Sequence, residues 1–266
     1  MQQPDRRSSF DDVPAIYDRA RPEYPPALFD DLFAYLNERA ARPQPAIIEV
    51  GPGTGQATHA LLERGALVTA VELGPNMAEY LAAKYAGRSG LRVLTGAFED
   101  APLEPGRWDA VFAATAYHWV DRAERMRRPH ALLVPGGVLA VVDTNQVRSE
   151  ADRGFFERSH PIYLKYRPGE PMGQGLPLDL VPPIFDEMCE SGLFEDVRLW
   201  RYRWDQRYDA DEYADLVMSY SDAQNMEPGP RAGLIADLRA MVAAEPGGCV
   251  VRPLVITLAA GRRTGP

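Results

Sequence analysis

The sequence has few cysteines, no long apolar run and no excess of basic residues. Cys189 and Cys249 permit at most one disulfide, so we expect a reducing compartment with both thiols in the core. No apolar run reaches the ~18 residues of a membrane-spanning helix. The first residues, MQQPDRRSSFDD, lack the apolar stretch of a secretory signal. We therefore expect a cytoplasmic protein without a membrane partner.

Acidic residues outnumber basic ones, 38 against 29, which gives a formal net charge of -9. Such a balance opposes the electrostatic attraction on which nucleic-acid binding depends. A nucleic-acid partner is therefore not expected. The 266 residues are enough for one large α/β domain that buries roughly three quarters of its unfolded surface.

Strands and helices alternate through the first 145 residues, which is typical of a parallel sheet covered on both faces. The apolar runs predict strands at 46–50, 66–71, 109–114 and 137–142, with a weaker one at 91–94. Between them, the patterns predict one helix over 55–64 and a second that begins near Gly74.

The pattern changes after residue 145. A stretch rich in proline and glycine predicts an insertion over 146–180, followed by a helix near 181–191. Two long strands are predicted at 194–204 and 249–258, with helices near 210–220 and 231–244 that would form a cap. We expect a single domain with three parts: a cofactor-binding part at 1–145, a cap insertion at 146–193, and C-terminal strands with cap helices at 194–266.

A glycine-rich turn follows the first predicted strand, in the order Gly51-Pro52-Gly53-Thr54-Gly55. Glycine lets the backbone approach a ligand closely, and the helix that follows offers unpaired N–H groups. The second strand ends at Glu72, at the carboxyl edge where open α/β sheets bind ligands. Its two oxygens can accept both hydroxyls of a ribose.

A nicotinamide or flavin dinucleotide is the main alternative ligand. The dinucleotide motif has a third glycine at position 56, where this chain has Gln56. Glu49 would also face the phosphates of a dinucleotide unfavourably, whereas an ammonium or sulfonium ligand would tolerate it. This contrast favours S-adenosylmethionine.

The sequence resembles the class I S-adenosylmethionine-dependent methyltransferases, in their small-molecule, trans-aconitate methyltransferase-like branch. The resemblance covers about residues 10–145. Six ordered segments carry it: FDDVPAIYDRARPEYP (10–25), IIEVGPGTG (47–55), VTAVELGPNM (68–77), LTGAFEDAPL (94–103), WDAVFAATAYHWVD (108–121) and LLVPGGVLAVVD (132–143). It implies an α/β, Rossmann-like sheet of seven strands, the last antiparallel, with helical cap insertions.

The resemblance also implies the cofactor site. Glu49 and the backbone of the three loop glycines would hold the methionine part, Glu72 the ribose, and the turn from Gly96 to Glu99 the adenine. Ala97 stands where many relatives have an acidic residue, so Glu99 or backbone groups would recognise the adenine. The further implied contacts come from Leu73, Met77, Phe98 and Ala114.

The N-terminal segment contributes two more candidates. Arg21 could pair with the cofactor's carboxylate, since a guanidinium binds carboxylates through two hydrogen bonds, and Tyr17 could donate its hydroxyl. Alternatively, this segment is a helix on the outside of the sheet, with Arg21 paired to a surface acid.

His118 and Tyr117 follow the fourth strand and are the catalytic candidates. His118 could act as a general base because its unperturbed pKa is near ~6.5. It could instead only orient the substrate, because a carboxylate acceptor needs no base. His59, His130 and His160 show no metal-ligand spacing.

The predicted function is methyl transfer to a small organic molecule, with O-methylation of a carboxylate or hydroxyl slightly preferred over C- or N-methylation. An NAD(P)-dependent oxidoreductase and a noncatalytic cofactor-binding protein are the alternatives. The predicted cap would complete the acceptor pocket or form its own small core; its candidates are Tyr163, Tyr166, Arg167, Tyr220, Ser221 and Met226.

Overall fold

The computed structural model describes residues 14–21, 23–39, 42–169 and 175–265. The strands are β1 Ala46–Val50, β2 Leu67–Glu72, β3 Leu91–Thr95, β4 Trp108–Ala114, β5 Leu133–Gln146, β6 Phe194–Asp209 and β7 Cys249–Arg263. The helices are α1 Pro14–Ala20, α2 Pro26–Asn37, α3 Thr58–Glu63, α4 Pro75–Lys84, α5 Arg127–Leu132, α6 Phe155–Tyr166, α7 Pro183–Glu190, α8 Ala210–Met218, α9 Ser221–Gln224 and α10 Pro228–Ala243.

The described residues form two compact units. The sheet unit comprises 23–39, 42–144, 181–202 and 256–265, and the helical unit comprises 14–21, 145–169, 175–180 and 203–255. The residues of β5, β6 and β7 are divided between the two units. The expected division into parts at residues 146 and 194 stays a prediction.

The seven strands are ordered β3-β2-β1-β4-β5-β7-β6, and the last strand of the chain is antiparallel. Strands β1 to β5 pair in parallel, with Glu49 of β1 opposite Ala70 of β2 and Phe112 of β4. Since β1 lies between β2 and β4, the strand order reverses there, and open sheets bind ligands beyond the carboxyl ends at such a point. The predicted fold class is confirmed.

Apolar side chains on both faces of the central strands fill the core of the sheet unit. Ile48 and Val111 are fully buried on one face, and Ile47 and Phe112 on the other, as expected for parallel strands covered on both sides. The helical unit has a core of its own, which includes Phe155, Leu216, Leu234, Leu238 and Val242.

The observed elements differ from the sequence predictions mainly at their ends. Helix α3 begins at Thr58 rather than at residue 55, because Gly53 and Gly55 have positive φ angles of 57° and 92° that a helix cannot accommodate. Helix α6 was not predicted, since Pro161 lies inside it and proline is unfavourable in helix interiors. The pattern therefore indicated only an insertion over 146–180, with no helix assigned inside it.

The prediction that both cysteines lie in the core is wrong. Cys189 is exposed and Cys249 is partly exposed, and neither forms a disulfide. In α7 the buried residues are Ile184 and Met188, four residues apart, so Cys189 points away from the buried face. Among the described helices, none is both long and apolar enough to cross a membrane.

Candidate cofactor and active site

The glycine loop lies between β1 and α3, at the carboxyl edge of the sheet. Gly51 has a φ of +63°, and its N–H donates to the carbonyl of Val71 over 2.9 Å. A Cβ on Gly51 would lie only 2.5 Å from the Cβ of Ala116. Glycine therefore lets this turn pack directly against the segment after β4.

Glu72 connects three parts of this edge. Its carboxylate accepts the N–H of Gly53 over 2.9 Å and the N–H of Gly74 over 3.0 Å, and its side chain is nearly buried. Its backbone carbonyl accepts the N–H of Gly96 over 2.8 Å. The glycine loop, the start of α4 and the turn after β3 therefore meet at one acid. Its predicted role in ribose binding stays a prediction.

Glu49 is a second buried acid, 1% exposed, in β1 two residues before the loop. The hydroxyl of Thr58 donates to it over 2.7 Å. Burial raises the pKa of Glu49 to about 7, the negative charge of Glu72 adds to the rise, and the Thr58 hydrogen bond opposes it. Two acids at one sheet edge favour a cation and disfavour a phosphate.

The C-terminal end of α4 also binds the glycine loop, through the carbonyls of Thr54 and Gly55. The Lys84 ammonium donates to the carbonyl of Thr54 and the Tyr85 hydroxyl to that of Gly55, both over 3.1 Å. These contacts, like that of Thr58, were missed by the sequence analysis. For Thr58 the available signal was a hydroxyl residue at the start of a helix. Nothing local to Lys84 or Tyr85 indicates a loop some 30 residues earlier.

The predicted adenine turn follows β3. Phe98 is buried in the sheet-unit core, with the Arg128 guanidinium 5.3 Å from its ring centroid. Glu99 accepts the backbone N–H of Asp121 over 2.8 Å. Ala97, directly before Phe98, is partly exposed. The hydrogen bond from Gly96 to Glu72 brings this turn to the acid, and its contacts with adenine stay a prediction.

Leu73 is partly buried after β2 and Met77 is buried in α4. Ala114 ends β4 and is partly buried. Thr115 follows with a φ of +54°, unusual for a β-branched residue, and its hydroxyl lies 2.9 Å from the Tyr24 hydroxyl. Such backbone strain is typical of functional segments. The contacts that the resemblance implies for Leu73, Met77 and Ala114 stay predictions.

A short 3-10 helix, Tyr117–Trp119, carries the catalytic candidates. Tyr117 is 2% exposed and its hydroxyl donates to the carbonyl of Arg125. Its side chain therefore packs in the core, and its catalytic role stays a prediction. His118 is exposed, 4.7 Å from the Trp119 ring between centroids. Partial desolvation and the charge of Arg125 lower the pKa of His118, so its imidazole is neutral at pH 7.

Tyr17 and Arg21 belong to the helical unit, and residues 10–13 and 22 of the same motif lie outside the described residues. The Arg21 guanidinium lies over two rings, 4.8 Å from the centroid of Tyr17 and 4.7 Å from that of Tyr220. It also donates to the carbonyl of Ser219 over 3.1 Å. The predicted contacts of Tyr17 and Arg21 with the cofactor stay predictions.

The aromatic residues of the predicted cap pack into the core of the helical unit. Tyr163, Tyr166, Tyr220 and Met226 all border that core. Arg167 lies 3.4 Å from the carboxylate of Asp222. Residues 170–174 of the predicted insertion lie outside the described residues.

Within the described part of the chain, no group of three or more histidine, cysteine, aspartate or glutamate side chains could hold a metal ion. The residues at the sheet edge do fit S-adenosylmethionine. Glu72 has acceptor oxygens at the end of β2, as its predicted role toward ribose hydroxyls requires, and two acids at this edge suit a ligand with ammonium and sulfonium charges. Glycine at position 51 lets the loop pack directly against Ala116 at this edge, where a Cβ would clash.

Comparison with known proteins supports this interpretation. The family model described as "Methyltransferase domain" matches residues 48–141. An uncharacterised methyltransferase of Mycobacterium tuberculosis strain H37Rv is 38% identical over 138 residues, 52% of this chain and 53% of that protein. One from Geobacillus kaustophilus is 31% identical over 156 residues, 56% of this chain and 72% of that protein. The match thus spans about half the length of the mycobacterial relative.

Solved structures share the fold. A proposed type II methyltransferase from Anaeromyxobacter dehalogenans has a TM-score of 0.60 and 24% identity, with 91% of this chain and 97% of that chain covered. A proposed methyltransferase of an antibiotic biosynthesis pathway from Anabaena variabilis has a TM-score of 0.58 and 16% identity, with 90% of this chain and 98% of that chain covered. The glycine loop, the acid after β2 and the similarity to the Geobacillus protein agree: this chain belongs to the class I S-adenosylmethionine-dependent methyltransferases.

Proposed function

We propose that this protein transfers the methyl group of S-adenosylmethionine to a small organic molecule, with an oxygen of a carboxylate or hydroxyl as the preferred acceptor. The main support is the pair of buried acids, Glu49 and Glu72, beside a glycine loop at the switch point of the sheet. This arrangement suits a cationic donor and would repel the pyrophosphate of a dinucleotide.

The donor side of the reaction requires little covalent chemistry from the protein. When bound, S-adenosylmethionine supplies an electrophilic methyl group on a positively charged sulfur. Glu72 would accept hydrogen bonds from the ribose while its contacts with Gly53 and Gly74 hold the loop. Fixing both reactants in this way can contribute up to ~7–11 kcal/mol through orientation alone.

The acceptor side is assigned to the segment after β4. His118 is exposed there, and its lowered pKa keeps the imidazole neutral at pH 7. A neutral imidazole can accept a proton from a hydroxyl acceptor. A carboxylate acceptor is already ionised, and His118 would then only orient it. Tyr117 is left out of this proposal because its hydroxyl is bound to the backbone of Arg125.

The formal charge of -9 supports a small-molecule acceptor over a nucleic acid. The trans-aconitate methyltransferase-like branch and a cytoplasmic location belong to the same proposal, on the sequence features given above. The Anabaena structure, whose description places it in antibiotic biosynthesis, is of a protein with a similar fold and does not select a substrate.

A labelled-methyl transfer screen tests the proposal. Carboxylic acids, phenols, amines and carbon nucleophiles are incubated with the protein and methyl-labelled S-adenosylmethionine, with Glu72→Ala as the control for contaminating activity. We expect transfer to an acid or a hydroxyl compound by the wild type. Transfer only to amines or carbon would contradict the O-methylation preference. Cofactor binding without any transfer would indicate a noncatalytic cofactor-binding protein.

A further inference from the structure

Arg252 of β7 lies among aromatic rings in the helical unit. Its guanidinium carbon is 5.5 Å from the ring centroid of Phe156 and 5.9 Å from those of Tyr213 and Tyr220. It donates to the Tyr220 hydroxyl over 2.8 Å and to the side-chain carbonyl of Gln146. Its Nε is buried without a hydrogen-bond partner. The guanidinium therefore has donor capacity that the described residues leave unused.

No described residue of the helical unit neutralises the positive charge of Arg252. None of the described carboxylates forms an ion pair with it, in contrast to Arg158, Arg167 and Arg239, which each pair with an acid. The surrounding phenols do not supply the missing charge, because burial raises the pKa of Tyr163, Tyr208 and Tyr213 above the ordinary value. A partly desolvated charge without a counter-ion is costly, and a bound anion would remove that cost.

A second guanidinium adds to this positive site. Arg21 lies against the same Tyr220 ring, with its carbon 4.7 Å from the centroid, and its Nε is also buried without a partner. Arg21 and Arg252 are both only partly buried, so each keeps some accessible surface. The planar edge of a guanidinium matches a carboxylate through two parallel hydrogen bonds. In a chain with a net charge of -9, this local concentration of positive charge is an exception.

We propose that the helical unit contains a carboxylate-binding site centred on Arg252, with Arg21 and Tyr220 beside it. The ligand class is an organic acid whose body packs on the aromatic rings of Phe156 and Tyr213. Gln146 and Tyr220 each hold the Arg252 guanidinium through one hydrogen bond. Carboxylate binding at this site does not depend on the proposed function.

Binding measurements test the site without requiring catalysis. Acetate, succinate and benzoate are compared with the neutral analogues acetamide, succinamide and benzamide by thermal shift and calorimetry. We expect acids to bind and amides not to bind. Arg252→Met should weaken acid binding by about 10- to 100-fold, because a charge-assisted hydrogen-bonded pair is lost. The acid affinity of Arg252→Lys should lie between those of the wild type and Arg252→Met, since an ammonium keeps the charge but lacks the planar pair of donors.

Arg239→Met is the matched control, because Arg239 is a half-exposed arginine of the same unit that pairs with Asp211 over 2.8 Å. It should bind acids like the wild type. Equal acid affinity in Arg252→Met and wild type would overturn the proposal, as would binding of inorganic phosphate but of no carboxylate. If Arg252→Met fails to fold, as judged by circular dichroism, Arg252→Lys decides the test.

Two further outcomes separate this site from the proposed function. An Arg252→Met variant that loses affinity for S-adenosylmethionine and keeps its affinity for small acids would overturn the carboxylate site. Acid binding that depends on Arg252, in a protein that transfers no methyl group, would leave the carboxylate site intact and refute the proposed function.

Discussion

Replacing Gly51 by alanine perturbs the cofactor loop at its closest contact. The added Cβ would lie 2.5 Å from the Cβ of Ala116, well inside the distance that two carbon atoms tolerate. Neither atom can rotate away, because each is bonded directly to the backbone. The φ of +63° adds strain, since it is a conformation that residues with a Cβ avoid.

The two costs can be separated with a second glycine. A left-handed residue with a Cβ costs about 1–2 kcal/mol, and overpacking a fixed contact costs about 1–3 kcal/mol more. Gly106 has a nearly equal φ of +66° and nothing within 4 Å of its virtual Cβ. Gly106→Ala should therefore lower the free energy of unfolding by only about 1–2 kcal/mol, whereas Gly51→Ala should lower it by about 2–5 kcal/mol.

Chemical denaturation of the two variants and the wild type gives the stabilities, and calorimetry gives their affinities for S-adenosylmethionine. We expect Gly51→Ala to lose cofactor affinity and Gly106→Ala to retain it, because only Gly51 lies in the loop. Equal stability of the two variants, together with wild-type cofactor affinity in Gly51→Ala, would refute the close approach as the reason for glycine at this position.

Three further substitutions test the acids and the histidine. Glu72→Ala should weaken cofactor binding by ~1–3 kcal/mol, through the lost ribose acceptors and the released Gly53 N–H; unchanged affinity in calorimetry would remove Glu72 from the site. The pKa of the Glu49 carboxyl is raised from 4.5 to about 7, so the carboxyl keeps its proton to a higher pH in the folded than in the unfolded state. The free energy of unfolding of the wild type, measured by urea titration, should therefore fall as pH rises from 4.5 to 7. Glu49→Gln should lack this fall. Identical pH profiles of the two proteins would contradict the raised pKa of Glu49. His118→Ala should lower turnover, and for a hydroxyl acceptor remove a limb of the pH–rate profile below pH 6.5, with cofactor affinity retained; an unaltered pH–rate profile would reject a proton-transfer role.

The sheet and its ligand-binding edge could be predicted because short stretches of the sequence indicate each strand and the residues that follow it. A buried strand, a glycine turn and an acid at the end of the next strand follow each other closely in the sequence, and parallel pairing brings their ends to one edge. Glu49, Gly51 and Glu72 could therefore be placed together before the structure was known.

Contacts between distant segments could not be predicted in the same way. The hydrogen bond from Tyr85 to Gly55 depends on how α4 packs, and a tyrosine in a helix pattern is equally consistent with a core position. Tyr117 was a catalytic candidate in the segment after the fourth strand, and neither its burial nor its hydrogen bond to the Arg125 carbonyl has a local signal in the sequence. Arg252 carried no local signal, since its aromatic neighbours come from α6 and from the stretch 213–220, both distant in the sequence.

Calorimetric titration with S-adenosylmethionine, S-adenosylhomocysteine and NAD tests the central claim most directly. If the loop at Gly51 and the acids Glu49 and Glu72 form an adenosyl sulfonium site, the first two ligands bind and NAD shows no measurable heat. Binding of NAD without binding of either adenosyl ligand would contradict the account.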